Sequence, residues 1–197
     1  EYFDLKFNYA RVSRSPNIAE LFADGLHHSA AIIERGDMRM KSETGHQFNL
    51  VADVKANVLK GLNISVNPYF FYTQNFINQI PTGYQNTQWG GAFVVYNYQQ
   101  INARMYGLDI DAQLKITDNL TYKGSGSYVY GQDTTHNVPL ILMMPPNFNN
   151  SLEFNKKEWK GFYFTVSNNT YLKQTRFPTY NVPIRLFDSD GNAYNQE

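Results

Sequence analysis

The chain has 197 residues, 17 basic and 17 acidic, so its formal net charge is zero, and it contains no cysteine. The charge balance excludes the basic footprint of a nucleic-acid binder, and the missing thiols exclude disulfide frameworks, thiolate metal sites and cysteine nucleophiles. Aromatic residues reach 16% while mean hydropathy is only -0.49, a combination that still permits a membrane protein, because a barrel strand shows lipid only every second side chain.

From Tyr2 to Val12, Phe3, Leu5, Phe7 and Tyr9 alternate with Asp4, Lys6 and Asn8, which predicts a strand with one apolar face. The same rule holds from Thr44 to Leu59, where Phe48, Leu50, Ala52, Val54, Ala56 and Val58 alternate with polar residues over a longer stretch than an ordinary globular strand. Lys60 and Gly61 predict a tight turn, and Leu62, Ile64, Val66, Phe70 and Tyr72 complete a long hairpin. A fourth strand carries Tyr106, Leu108, Ile110, Ala112, Leu114 and Ile116, and after a turn at 117 to 119 a fifth carries Leu120, Tyr122, Tyr128 and Tyr130. Phe148, Leu152 and Phe154 mark a sixth, and Phe162, Phe164 and Val166 a seventh. No stretch has a convincing helical period, and no apolar run approaches the roughly 20 residues that a membrane-spanning helix needs.

The predicted connections alternate in length: long at 13 to 42, short at 60 to 61, long at 81 to 95, short at 117 to 119, long at 131 to 146, medium at 155 to 161 and long at 173 to 197. Short turns on one side and long loops on the other are the pattern of an up-and-down antiparallel transmembrane β-barrel. The polar face supports it, since Asp53, Lys55, Asp109, Asp111 and Lys115 would be buried charges in a small soluble barrel but sit well in a wide, wet lumen. Tyr2, Tyr9, Tyr128, Tyr130 and Trp159 lie near strand ends, where a membrane interface selects aromatics. A soluble β-sandwich or lipocalin-like barrel would give the same period, and a soluble carbohydrate-binding module would also use exposed aromatics.

The stretch Arg14-Ser15-Pro16-Asn17-Ile18-Ala19-Glu20-Leu21-Phe22-Ala23-Asp24-Gly25-Leu26-His27 resembles the R-x-P-x-x-x-E-L-F-x-x-G-x-H signature of TonB-dependent receptor barrels, with Arg14, Pro16, Glu20, Leu21, Phe22 and Gly25 in the signature positions. Glu34, Arg35, Gly36 and Asp37 resemble the family's E-x-G-N, Lys41 to Glu43 the start of its next strand, Tyr106 to Asp109 its YGxE strand start, and Val138 to Pro146 its P-x-I-P-P segment. The resemblance spans nearly the whole chain. It implies about seven strands of a roughly 22-stranded barrel in the bacterial outer membrane, with residues 1–197 forming part of one barrel domain. The N-terminal plug and an odd number of final strands would lie outside this sequence, and Asn181 to Glu197 would be an outer loop. It further implies a transport receptor rather than an enzyme. Such a receptor takes a ferric siderophore or haem into its outer loops and imports it with energy from TonB, which would act on the absent plug region. Membrane lipid and lipopolysaccharide would be its surroundings, and no cofactor is implied beyond iron carried in the transported chelate. Cobalamin, copper and oligosaccharide import use the same scaffold, because fold does not fix function.

Candidate ligand-binding residues fall in the predicted loops. His27 and His28 are imidazoles able to ligate iron, haem or copper, with solvated loop histidines as the alternative. Tyr84, Trp89, Tyr96 and Tyr98, with Arg35 and Arg176, would make an aromatic and cationic basket for an anionic ferric chelate, or else an interface girdle with ordinary loop polarity. His46 and His136 read as structural or interfacial. Asp133 with His136 is the one local pairing an outer-membrane barrel enzyme could use. The run Asp188 to Asn192 reads as a turn, since it lacks the spacing and bidentate Glu of a calcium loop.

Overall fold

Alternation of apolar and polar residues becomes one continuous antiparallel sheet in the computed structural model, which describes residues 2–56, 61–86, 91–179, 186–187 and 193–194. In chain order the elements are β1 (Tyr2–Arg14), α1 (Ile18–Phe22), β2 (Asp24–His27), β3 (Ile32–Arg35), β4 (Glu43–Ala56), β5 (Leu62–Asn86), β6 (Ala92–Lys115), β7 (Leu120–Asp133), β8 (Val138–Pro139), β9 (Asn147–Lys156) and β10 (Phe162–Tyr171). The main path runs β1-β4-β5-β6-β7-β9-β10, seven strands in up-and-down order, as the sequence predicts. Beyond it, Leu186–Phe187 pairs with Ala193–Tyr194 inside the predicted final loop. Lys60, Trp89 and the run Asp188 to Asn192 lie outside the described residues.

Register places every predicted apolar row on one face. Phe3, Val54, Ile64 and Ala112 stand side by side across four strands, as do Leu5, Ala52, Val66 and Ile110. Large apolar side chains on this face are open to the surroundings, Phe3 at 64% and Phe7 at 67% exposure. In water such a face would drive association, whereas in a bilayer it meets its solvent. The other face carries the charges the sequence assigned to a lumen. There Lys6 bridges Asp4 at 2.7 Å and Asp53 at 3.6 Å, and Lys123 bridges Glu153 at 2.8 Å. A groove of about 590 Å³ runs along it, lined by Asp53, Ser65, Asp111, Lys123 and Asn149 among others.

Aromatic rings border the apolar face at both ends. Toward the long loops Tyr9, Phe48 and Phe70 follow one another at 5.0 and 6.2 Å between ring centres, and Tyr106 stacks on Tyr130 at 4.6 Å. At the opposite end Trp159, in the turn after β9, sits 6.1 Å from Phe154 and 6.2 Å from Phe162, with the Lys156 ammonium 4.5 Å over its ring. This matches the interfacial placement expected of aromatics in a transmembrane barrel.

Three expectations are corrected. Residues 81 to 95 do not form a long loop: β5 runs 25 residues and β6 runs 24, so the hairpin continues far past its neighbours. Opposite Tyr84-Gln85-Asn86 the residues Ala92, Phe93, Val94, Val95 and Tyr96 are apolar without a break, so no alternation marks this part of the ribbon as strand. The 13 to 42 connection holds α1 and the β2–β3 hairpin, and a five-residue helix is too short to show a 3.6 period. The 131 to 146 connection contains β8 and folds back onto the polar face, where Leu140 joins Ile80, Ile101 and Ala103 in a small core against Phe76, Met105 and Met143. Other strand ends hold or extend, β10 reaching Tyr171, except that β6 stops at Lys115, one residue short of Ile116, while the predicted end of β4 at Val58 and Leu59 lies outside the described residues.

A bulge sets the geometry of the extension. Register slips between Thr73 and Phe76, with Asn75 at a positive φ of 54°, a conformation Asn tolerates better than most residues. Past the bulge the faces of β5 exchange, so Ile77 and Gln79 now share a side with Gln100 and Tyr98.

Candidate binding site at the loop end

The signature residues form a fastener under the first long loop. Asn17 caps α1 by accepting the Glu20 amide at 2.9 Å, while the Glu20 carboxylate accepts the Asn17 amide at 2.7 Å, a reciprocal capping box. Pro16 directly before the cap favours the extended entry to it. Glu20 also accepts Arg14 Nη1 with both oxygens, at 2.9 and 3.0 Å, and Arg14 Nε donates to Glu43 at 2.7 Å. Glu43 in turn accepts the Ile77 amide at 2.6 Å, tying β4 to the strand just past the bulge. Burial disfavours the Glu20 anion, but the Arg14 guanidinium and the Asn17 amide outweigh it and hold the carboxyl below the usual glutamate range.

Gly36 closes the loop against the helix. A side chain there would run into the backbone of Leu21, 2.6 Å from its carbonyl carbon, and the Gly36 amide donates to the Ala23 carbonyl at 2.7 Å. Gly25, by contrast, has open space where a Cβ would lie, so the fold does not explain that signature position. Phe22 is exposed and takes no part in the fastener.

Held this way, the β2–β3 hairpin lays β3 parallel along the edge of β6, Ile32 beside Val94 and Arg35 beside Asn97. On one side of this ribbon Glu34 gathers His27 Nδ1 at 3.2 Å, Gln79 Nε2 at 2.8 Å and the Tyr98 hydroxyl at 3.2 Å. The contact with Gln79 exists because the bulge turned that residue to this side. Tyr84, opposite Val94, and Tyr96, beside Glu34, share it. Chemically the cluster offers a half-exposed imidazole oriented by a carboxylate, flanked by phenols and an amide.

The rest of the predicted basket does not converge there. Arg35 points to the opposite side of the ribbon, where Nη1 donates to Asp24 at 3.1 Å and Nη2 to Gln85 at 2.8 Å. Arg176 lies over the Tyr130 ring at 3.4 Å and donates to Gln132 at 2.8 Å, back beside β7. His28 is exposed, and Trp89 is outside the described residues. The sequence reading missed Glu34 as the organiser and Gln79 as its partner, since a parallel pairing between residues some 60 apart leaves no local signal. Among the described residues no group of three or more His, Asp and Glu side chains is placed to hold a metal ion.

Asp133 and His136 form a turn. Asp133 is fully buried, its Oδ1 accepts the amides of Thr135 and His136, and its Oδ2 meets His136 Nδ1 at 2.7 Å. The adjacent hydroxyls are engaged in holding the loop to β6, Thr134 donating to the Asn102 carbonyl and Thr135 accepting the Asn102 amide. His46 is likewise structural, paired with the Tyr9 hydroxyl at 2.9 Å.

The family model described as "TonB dependent receptor-like, beta-barrel" matches residues 1–194. Among solved structures, the copper transporter OprC superposes with a TM-score of 0.71 at 17% identity, over 90% of this chain and 26% of that one. A variant of the ferric enterobactin receptor PfeA from Pseudomonas aeruginosa superposes at 0.68 and 18% identity, over 98% and 29%. The FrpB iron transporter from Neisseria meningitidis does so at 0.57 and 14% identity, over 99% and 28%. The chain thus spans between a quarter and a third of those proteins, and the likeness is one of fold. No curated protein matches the sequence.

Proposed function

This chain belongs to the TonB-dependent receptor-like β-barrel family, and from that premise we propose that it is part of a bacterial outer-membrane receptor that captures an iron chelate, a ferric siderophore or haem, at its loop end and imports it with energy supplied through TonB. The observation that carries the reading is the ordered platform beyond the aromatic border. A transporter wall needs only to cross the bilayer, yet here a hairpin of 25- and 24-residue strands projects past it and carries an added strand fastened by Arg14, Glu20 and Glu43. A rigid outer platform presenting His27, Tyr84, Tyr96 and Tyr98 suits a bulky, partly aromatic chelate, since preorganisation lowers the ordering cost of binding.

Copper import is the second reading, favoured by the imidazoles of His27 and the neighbouring His28 and by the fold likeness to a copper transporter. Cobalamin and oligosaccharide import follow if neither metal form binds. The test is a binding titration of the purified full-length receptor against ferric siderophores, haem, copper and cobalamin. Saturable binding of one ferric siderophore or of haem supports the iron reading. Binding of copper alone, lost in His27→Ala and His28→Ala, replaces it.

A further inference from the structure

Phe22 of the signature and Arg35 of the predicted basket line the same groove. It holds about 450 Å³ between the end of α1 and the chain leaving β3, and is lined by Phe22, Asp24, Arg35, Asp37, Met38 and Arg39 among others. That volume falls in the range of small-ligand sites. Its apolar lining is open, Phe22 at 62% and Met38 at 73% exposure, and the fastener under the loop uses neither. Register places the groove relative to the barrel. Both irregularities of the long hairpin add their extra residue to β5, so β6 keeps its alternation unbroken from the barrel wall outward. Asn97 therefore stands on the side of Ala103, Met105 and Asp109, which is the polar face, and Arg35, its partner across the parallel ribbon, stands there too. The groove that Arg35 lines thus lies on the side that continues the lumen wall, whereas Glu34 and Tyr98 stand on the other.

The charges around the groove cancel. Arg35 Nη1 donates to Asp24 at 3.1 Å and Nη2 to Gln85 at 2.8 Å, while Arg39 Nε and Nη2 both meet Asp37 at 3.0 Å. A multiply charged anion would have to displace Asp24 or Asp37 or lie against them as a like charge. A neutral oxygen meets no such cost, and Arg39 Nη1 and Arg35 Nε have N–H groups without a partner among the described residues. An aromatic ring lying on Phe22 and Met38 would cover their exposed surface, ring against ring and thioether against ring edge. We infer that this groove is the receptor's lumen-side contact for an uncharged aryl group bearing oxygen acceptors, carried by the imported chelate. What the aryl group is attached to rests on the import reading, but the selectivity of the groove does not.

The experiment uses the purified full-length receptor in detergent and three metal-free probes, with dissociation constants from saturation-transfer NMR titrations corrected against empty micelles. The probes are 2-hydroxybenzamide, a neutral aryl group with two oxygens; glycolamide, which has the oxygens without the ring; and phthalate, a ring with two negative charges. The unmodified receptor is expected to bind 2-hydroxybenzamide roughly tenfold or more tightly than either of the others. F22A/M38A is expected to abolish that preference, and I18A, which removes an exposed apolar side chain of α1 outside the groove, to keep it. Equal binding of 2-hydroxybenzamide and glycolamide by the unmodified receptor overturns the site, and tighter binding of phthalate overturns its neutrality. Both comparisons decide even if the double variant fails to fold. A folded F22A/M38A receptor that keeps the preference, or an equal loss in I18A, also overturns it. Because no probe carries a metal, the groove can fail while the iron titration succeeds, and the reverse.

Discussion

Replacing Glu20 with Ala tests whether the family signature is a fastener. The residue is 8% exposed, and its side chain accepts three hydrogen bonds, two from Arg14 Nη1 at 2.9 and 3.0 Å and one from the Asn17 amide at 2.7 Å. Hydrogen bonds to charged groups contribute about 1.5–3 kcal/mol each when intact, and a capping interaction about 1 kcal/mol. Arg14 is half exposed and keeps Glu43, so water recovers much of the loss, leaving roughly 2–3 kcal/mol of local stability removed. That corresponds to about 30- to 150-fold faster exchange at amides whose protection depends on local opening. The reporters are Leu21, Ala23, Gly36 and Asp37, whose amides bond to Asn17, Ala19, Ala23 and Glu20 carbonyls. Hydrogen–deuterium exchange on the full-length receptor reads them directly, with Phe22→Ala as a control because that ring is 62% exposed. Unchanged exchange in Glu20→Ala, or an equal rise in Phe22→Ala, would refute the fastener.

The same carboxylate makes the loop acid-sensitive. Because Glu20 titrates below the usual glutamate range when folded, its stabilisation is fully present above that range and is lost as pH falls through the lowered value, whereas a Glu20→Gln receptor shows no such loss over the same window by exchange measurements. Gly107→Ala places a methyl against the Tyr69 ring and the Tyr128 carbonyl, and is expected to destabilise the barrel by about 1–3 kcal/mol in denaturant titration, while Gly25→Ala leaves stability unchanged. Arg176→Lys loses the stack on Tyr130 and the fork to Gln132, so the segment from Gln174 to Phe177 is expected to become more accessible to protease by about 1 kcal/mol of local opening.

The strands were legible because their two faces differ: Phe3, Leu5 and Phe7 make one side apolar while Asp4 and Lys6 make the other polar, and period two records the difference. Where that contrast ends the pattern ends with it, which is why 81–86 and 92–95 read as loop although they are strand. The site was only partly legible. His27 and Tyr98 were recognisable as chemistry, but the carboxylate joining them, Glu34, depends on a parallel pairing and a bulge at Asn75 that no local window contains. Arg14 and Glu20 carried the resemblance, and their fastening role emerges only when Glu43 arrives from the next strand. Arg35 and Arg176, assigned to the basket for their charge, are engaged elsewhere.

The most direct measurement is uptake of radiolabelled iron, supplied as separate ferric siderophores and as haem, into iron-limited cells with the parent gene intact, deleted, or intact but treated with a protonophore. The expected result is that one chelate enters only when the gene is present and the proton gradient is maintained. Uptake of every chelate unchanged by the deletion would contradict the iron-import account, and uptake that needs the gene but ignores the gradient would contradict its energy source.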